Sequence, residues 1–93
     1  MPQTARFPLG QILATPGALE ALERTGQLIF KFTASHASGV WGDLCEHDAQ
    51  ANDDALDNGG RIFSVYHLVD GTKVWVVTEA YRRATTVLLS SEY

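Results

Sequence analysis

The spacing of apolar positions changes character near Arg61, from intervals of three and four residues to alternation. Beyond that point, Ile62–Val69 and Thr72–Thr78 are rich in Val, Ile, Tyr, Phe and Trp, residue types that pack well on a pleated surface. Asp70-Gly71 between them is a two-residue hairpin signal. Such a turn sets Tyr66 opposite Trp75 and Val65 opposite Val76. It groups Phe63, Val65, Val74 and Val76 on one face, and Ile62, Tyr66, Leu68, Trp75 and Val77 on the other. Both faces are then substantially apolar, one to cover helices and the other to meet a partner. Ala84–Leu89 is expected as the next strand of an antiparallel meander.

Before Arg61 the pattern is mostly helical. Leu9–Ala14 suits a short strand, and Thr15-Pro16 follows as a helix start, threonine as N-cap and proline at the first helical position. Ala18, Leu19 and Leu22 supply an apolar face, and Gly26 is a natural stop. Leu28–His36 fits both a strand and a helix; the brief link from the preceding helix favours a short helix in a helical hairpin. Val40-Trp41-Gly42 forms a loop with a large apolar anchor. Asp43 then has the character of an N-cap, paired with Glu46 in a capping-box spacing, for a helix from Leu44 to about Asp57 that ends at Asn58-Gly59-Gly60. The expected whole is one α+β domain, 1–93: a short N-terminal strand and two to three helices packed on a C-terminal antiparallel meander of about three strands.

Composition adds a compartment and a charge map. With 45% hydrophobic residues and nine aromatics, a core can form without metals or disulfides. Cys45 is the lone cysteine, the start of the chain lacks a signal-peptide pattern, and no apolar run approaches a membrane span. A cytoplasmic protein without membrane contact is expected. The net charge of −4 is unevenly placed. No Lys or Arg lies between Lys31 and Arg61, whereas six of the eleven acids fall in Asp43–Asp57. The other five acids face seven bases, a balance of +2, so no global basic patch for phosphate exists.

On the expected helix, Asp43, Glu46, Gln50, Asp53, Asp54 and Asp57 share an arc of about 100°. Leu44, Cys45, Ala51, Ala55 and Leu56 lie opposite, with Asp48 and Asn52 among them. Asp43 and Glu46 are explained by capping. Asp53, Asp54 and Asp57 sit near the negative pole of the helix, where each exposed acid costs about 0.3–1 kcal/mol. Fourteen helical steps from Asp43 span about 21 Å, over which a DNA duplex carries roughly 12 charges and one strand about 6. Five carboxylates on the arc therefore approach one phosphate strand, not a duplex.

Asp48 and Asn52 are expected to tie the helix to a loop, through the Trp41 indole or a backbone amide; the sharper reading makes Asp48 a catalytic carboxylate. His36, Cys45, His47 and His67 do not match a zinc spacing. There is no phosphate-binding glycine loop, no G-x-S-x-G and no H-E-x-x-H. No cofactor, metal or catalytic residue is expected. Tyr66 and Trp75 are candidates for an aromatic contact surface, against the alternative that they pack beneath the helices.

The runs LGQILATPGALEAL, WGDLCEHDAQANDDALDNGGRIFSVYHL and DGTKVWVVTEAYRRATTVLL resemble a family of short bacterial proteins carried on plasmids and integrative elements, labelled plasmid-related protein or type I restriction enzyme subunit M. A chain of 93 residues cannot hold a methyltransferase domain, and no Gly-rich cofactor loop follows a strand. What the resemblance implies is a mobile-element accessory that binds protein, in the manner of an anti-CRISPR or anti-restriction inhibitor. Asp43, Glu46, Asp53, Asp54 and Asp57 would dock on the basic groove of a host defence nuclease or surveillance complex, with aromatic contacts setting residence time. The chain would act as a monomer or homodimer. The alternatives are a regulatory DNA-binding or plasmid-maintenance accessory using Arg61, Lys73, Arg82 and Arg83, and a small enzyme using Asp48 with a histidine.

Overall fold

The computed structural model describes residues 5–93. Strand β1 (Gln11–Ala14) is followed by helices α1 (Pro16–Thr25), α2 (Ile29–Ala37) and α3 (Glu46–Asn58). Strands β2 (Ile62–His67), β3 (Lys73–Thr78) and β4 (Ala84–Leu89) come next, and then a 3₁₀ turn, Ser90–Glu92. The α+β expectation holds, including the helix over Ile29–Ala37 and the C-terminal meander. The sheet gains a fourth strand, because β1 pairs in parallel with β4 to give the order β1-β4-β3-β2.

Helix α1 starts as its sequence dictates. Thr15 is the N-cap, its hydroxyl accepting from the Ala18 N–H at 3.3 Å, and Pro16 follows. Its buried stripe is Ala18, Ala21 and Leu22, the i, i+3, i+4 rows of one face. Leu19, expected on that face, is 53% exposed because it falls one position off the stripe.

The hairpin between β2 and β3 departs from expectation by one residue. Leu68 donates to the Thr72 carbonyl at 2.8 Å and Gly71 to the Leu68 carbonyl at 2.9 Å, enclosing a three-residue loop Val69-Asp70-Gly71. Gly71 has φ 89°, the left-handed position that closes such a loop and that side chains with a Cβ avoid. Val65 therefore faces Trp75, and Tyr66 faces Val74. Because strand faces alternate with period two, the slip moves half of the hairpin to the opposite side. Ile62, Ser64, Tyr66, Leu68, Val74, Val76 and Thr78 lie under the helices with Thr85 and Val87 of β4. Phe63, Val65, Trp75 and Val77 lie on the other face, with Thr86 and Leu88.

Two apolar clusters hold the layers together. Ala18, Ala21, Leu22 and Phe32 pack on Leu68, Val74, Val76 and Val87. Phe7, Trp41, Ala55 and Ile62 form the second, nearer α3.

The start of α3 is also displaced. Its N-cap is Cys45, with no side-chain cap bond, and Asp43 lies outside the helix. The cause is a tertiary backbone contact. Val65 donates to the Trp41 carbonyl at 3.1 Å and accepts from the Asp43 N–H at 2.7 Å, so Trp41–Asp43 runs alongside the edge of β2. Gly42, at φ 74°, permits this approach; a Cβ there would sit 2.0 Å from the Val65 carbonyl oxygen.

Candidate functional site

Helix α3 is fixed to the sheet by polar contacts on its inner side. Asn52, 1% exposed, donates to the Phe63 carbonyl at 2.6 Å and accepts from the Phe63 N–H at 3.2 Å. Its amide thus completes the outer edge of β2 as a neighbouring strand would. Together with Trp41–Asp43 on Val65, it closes an edge that would otherwise offer free hydrogen-bonding groups. Ala55 is buried beside it. Cys45 and Ala51, expected on the inner side, are exposed: Cys45 is the N-cap, outside the helix, and Ala51 lies at the margin of the stripe formed by buried Asn52 and Ala55 with half-buried Asp48, Ala49 and Leu56.

The far end of α3 has no basic residue in its own last turn. Arg82, from the turn between β3 and β4, supplies the missing charge. Its guanidinium donates to the Ala55 carbonyl at 3.0 Å and the Gly60 carbonyl at 2.6 Å, and lies over the Phe7 ring. The negative pole of the helix is compensated here, through backbone carbonyls. Arg82 itself adopts φ 58°, a left-handed conformation held by these contacts and by its bond to the Glu79 carbonyl. It is thereby removed from the set of free basic residues that the nucleic-acid alternative invoked; Arg61, Lys73 and Arg83 remain exposed.

On the outer side of α3, Glu46, Asp53, Asp54 and Asp57 are all exposed. Asp53 accepts from the Trp41 indole at 3.4 Å, and Asp54 from Gln50 at 3.1 Å. Among the described residues, no Lys or Arg forms an ion pair with any of them. The indole contact expected of Asp48 or Asn52 is made by Asp53 instead. Asp43, detached from the helix, receives a hydrogen bond from His67 at 2.8 Å. That bond, and then the histidine's charge, hold the Asp43 carboxyl below its ordinary value. With Asp43 set apart, the helical track runs from Glu46 to Asp57, about 16 Å, and carries four outward carboxylates. One nucleic-acid strand presents about five charges over that length.

The two expected contact aromatics are separated by the hairpin register. Tyr66 lies on the helix side, packed against Phe32, and its hydroxyl donates to the Val40 carbonyl. Burial pushes its phenol up to about 12. Trp75 lies on the opposite face, stacked on Phe63 and touching Tyr93, which also carries the Arg61 guanidinium over its ring. Trp41 is core, 8% exposed. An aromatic surface therefore exists, but it is built on Phe63, Trp75 and Tyr93 rather than on Tyr66.

His36 is a polar hub of the interior. It is fully buried, with Nδ1 on the Ser64 hydroxyl and Nε2 on the Thr78 hydroxyl at 2.8 Å. Proton assignment follows by counting donors. Thr85 donates to the Leu9 carbonyl at 2.7 Å, so Thr78 must donate to Thr85, also at 2.7 Å. Thr78 then accepts from His36 Nε2–H, and the neutral ring accepts at Nδ1 from Ser64. Burial first, and the Arg82 charge second, lower His36 to about 4. A serine hydroxyl on a neutral imidazole has the parts of a nucleophile and base, yet both residues are 0% exposed and reach no substrate. The arrangement joins α2 to β2, β3 and β4.

The remaining chemical candidates are dispersed. His47 and Cys45 are exposed, His67 is engaged by Asp43, and no group of three metal-ligating residues occurs among the described residues. No helix is long and apolar enough to cross a membrane among them. No family model, curated protein or solved structure matches the chain.

Sequence reasoning missed three contributors: Arg82 as the cap of α3, Tyr93 as part of the aromatic face, and His36 as a buried hub. Only the last left a signal, a histidine on the apolar side of Leu28–His36.

Proposed function

We propose that this protein acts by binding, presenting the outer face of α3 to a basic groove on a protein partner. The observation that carries this reading is the contrast in pairing around α3. The arginine that reaches the helix binds its carbonyls, and among the described residues Glu46, Asp53, Asp54 and Asp57 have no cationic partner. Opposite charge on a partner would speed encounter, and desolvation at the contact would strengthen it. Rigid attachment through Asn52 and Arg82 keeps the ordering cost of such a contact low.

The finer reading, an anti-CRISPR or anti-restriction inhibitor borne on a mobile element, rests on the resemblance of the sequence to plasmid- and integrative-element proteins. In it, the four-carboxylate track occupies a groove that otherwise holds one nucleic-acid strand. A plasmid-establishment assay in hosts with active restriction or CRISPR immunity tests it. Expression of the chain should raise establishment, and the Asp53→Lys, Asp54→Lys, Asp57→Lys variant should not. Equal establishment with and without the chain contradicts the inhibitor role; equal protection by the variant contradicts the acidic-face mechanism.

A further inference from the structure

Tyr93, packed against Trp75, borders an open cleft of about 250 Å³ on the sheet face away from the helices, lined also by Arg61, Val77, Glu79, Thr86, Leu88 and Glu92. Ligand pockets commonly span about 300–1,000 Å³, so this one suits a small molecule. The charges around it are arranged unusually. Arg61 and Glu79 lie opposite each other, one position beyond the last pair of the β2–β3 ladder, Ile62 and Thr78. Opposite charges at facing strand positions ordinarily pair. Here they do not: neither forms an ion pair among the described residues, and Arg61 turns instead over the Tyr93 ring at 5.7 Å.

Glu92, the second acid of the cleft, is already satisfied. Its carboxylate accepts from the Thr15 hydroxyl at 2.6 Å, the Leu89 N–H at 3.0 Å and the Gly17 N–H at 3.3 Å, at the N-terminus of α1. The Thr15 bond first, and then the Leu89 N–H, lower its pKa. Glu79 is therefore the free anion of the cleft and Arg61 its free cation. Beside this pair, further along the strands, the lining is apolar at Val77 and Leu88, with an aromatic wall at Tyr93. Behind that wall, the Trp75 indole N–H is buried with no acceptor among the described residues.

We propose that this cleft binds a free α-amino acid with an apolar or aromatic side chain. Arg61 takes the carboxylate, Glu79 takes the ammonium group, and the side chain lies on Val77, Leu88 and Tyr93. A ligand carrying one charge would leave the other cleft residue unmatched, and a ligand with neither would leave both. The site is separate from the acidic face of α3 and stands or falls independently of the proposed function.

Titration calorimetry on the full chain tests this with L-phenylalanine, hydrocinnamate, which lacks the ammonium, and phenethylamine, which lacks the carboxylate. Saturable one-site binding of phenylalanine is expected, with each single-charge analogue about 10- to 100-fold weaker, the loss of one charge-assisted hydrogen bond. Glu79→Ala should erase the preference for phenylalanine over hydrocinnamate, and Arg61→Ala the preference over phenethylamine. Circular dichroism checks that the variants fold. Arg61→Gln, which keeps the stem over Tyr93, serves if Arg61→Ala is unstable. Absence of binding up to about 10 mM phenylalanine overturns the proposal, since weaker affinity falls below a useful site. Equal binding of all three compounds, or variants that retain the wild-type preferences, overturns it too.

Discussion

The two sides of α3 treat polar groups in opposite ways. On the inner side Asn52 meets both backbone groups of Phe63, and at the helix end Arg82 meets the Ala55 and Gly60 carbonyls. On the outer side, among the described residues, the carboxylates have only neutral hydrogen-bond partners, the Trp41 indole and Gln50. A helix needing only solubility gains little from four like charges there, because like pairs at i, i+4 repel. The difference separates what holds α3 in place from what is free to meet another molecule. Substitutions on the inner side should cost stability; substitutions on the outer side should cost binding.

The largest expected effect is Asn52→Ala. It leaves the Phe63 N–H and carbonyl unpaired under α3, and urea unfolding should show a loss of about 3–4 kcal/mol. A loss below about 1 kcal/mol would mean that water replaces the amide freely.

Acid should reveal the His36 hub next. Its folded pKa, about 4, lies below the ordinary value of 6.5, so the unfolded chain binds the proton more readily. The stability linked to neutral His36 is complete above about pH 6.5 and is lost as pH falls towards 4, by roughly 3 kcal/mol in all. The lowered carboxyls of Asp43, Asp70 and Glu92 add losses in the same direction, but only as pH falls through and below their ordinary values of 3.8–4.5. Chemical unfolding at a series of pH values should therefore show a slope between pH 4 and 6.5 that His36→Phe removes. The same slope in that variant would assign it elsewhere.

Arg82→Ala should cost about 2 kcal/mol, through the lost carbonyl bonds and an uncompensated helix end. Its effect should be seen as faster hydrogen exchange in the last turn of α3. The smallest stability effect is expected for Asp53→Lys, Asp54→Lys, Asp57→Lys. The unfolding free energy should stay within about 1 kcal/mol of wild type, since cations suit a helix C-terminus. A collapse of stability would place these acids on the structural side of the contrast.

Much of the architecture was legible because local chemistry and final fold agree. Thr15-Pro16 and Gly26 bound α1, Asn58-Gly59 ends α3, and the Val/Ile-rich runs became β2, β3 and β4. What escaped depends on contacts between residues distant in sequence. Asp43 has the chemistry of a cap, yet its N–H is engaged by Val65, twenty-two positions away. Asp70-Gly71 marked the turn correctly without giving the loop length, and one residue of length decided which face Trp75 joined. Arg82 capping Ala55 leaves no local trace at either position. The acidic face was visible because charge asymmetry is a property of composition. Its isolation from cations was not, since Arg82 had to be located first.

The most direct test compares what the wild-type chain and the Asp53→Lys, Asp54→Lys, Asp57→Lys variant retain from lysate of a natural host in moderate salt, quantified by mass spectrometry. A protein with a basic nucleic-acid groove should be retained by the wild type and lost from the folded variant. Retention of the same partner by both would show that binding does not use the outer face of α3.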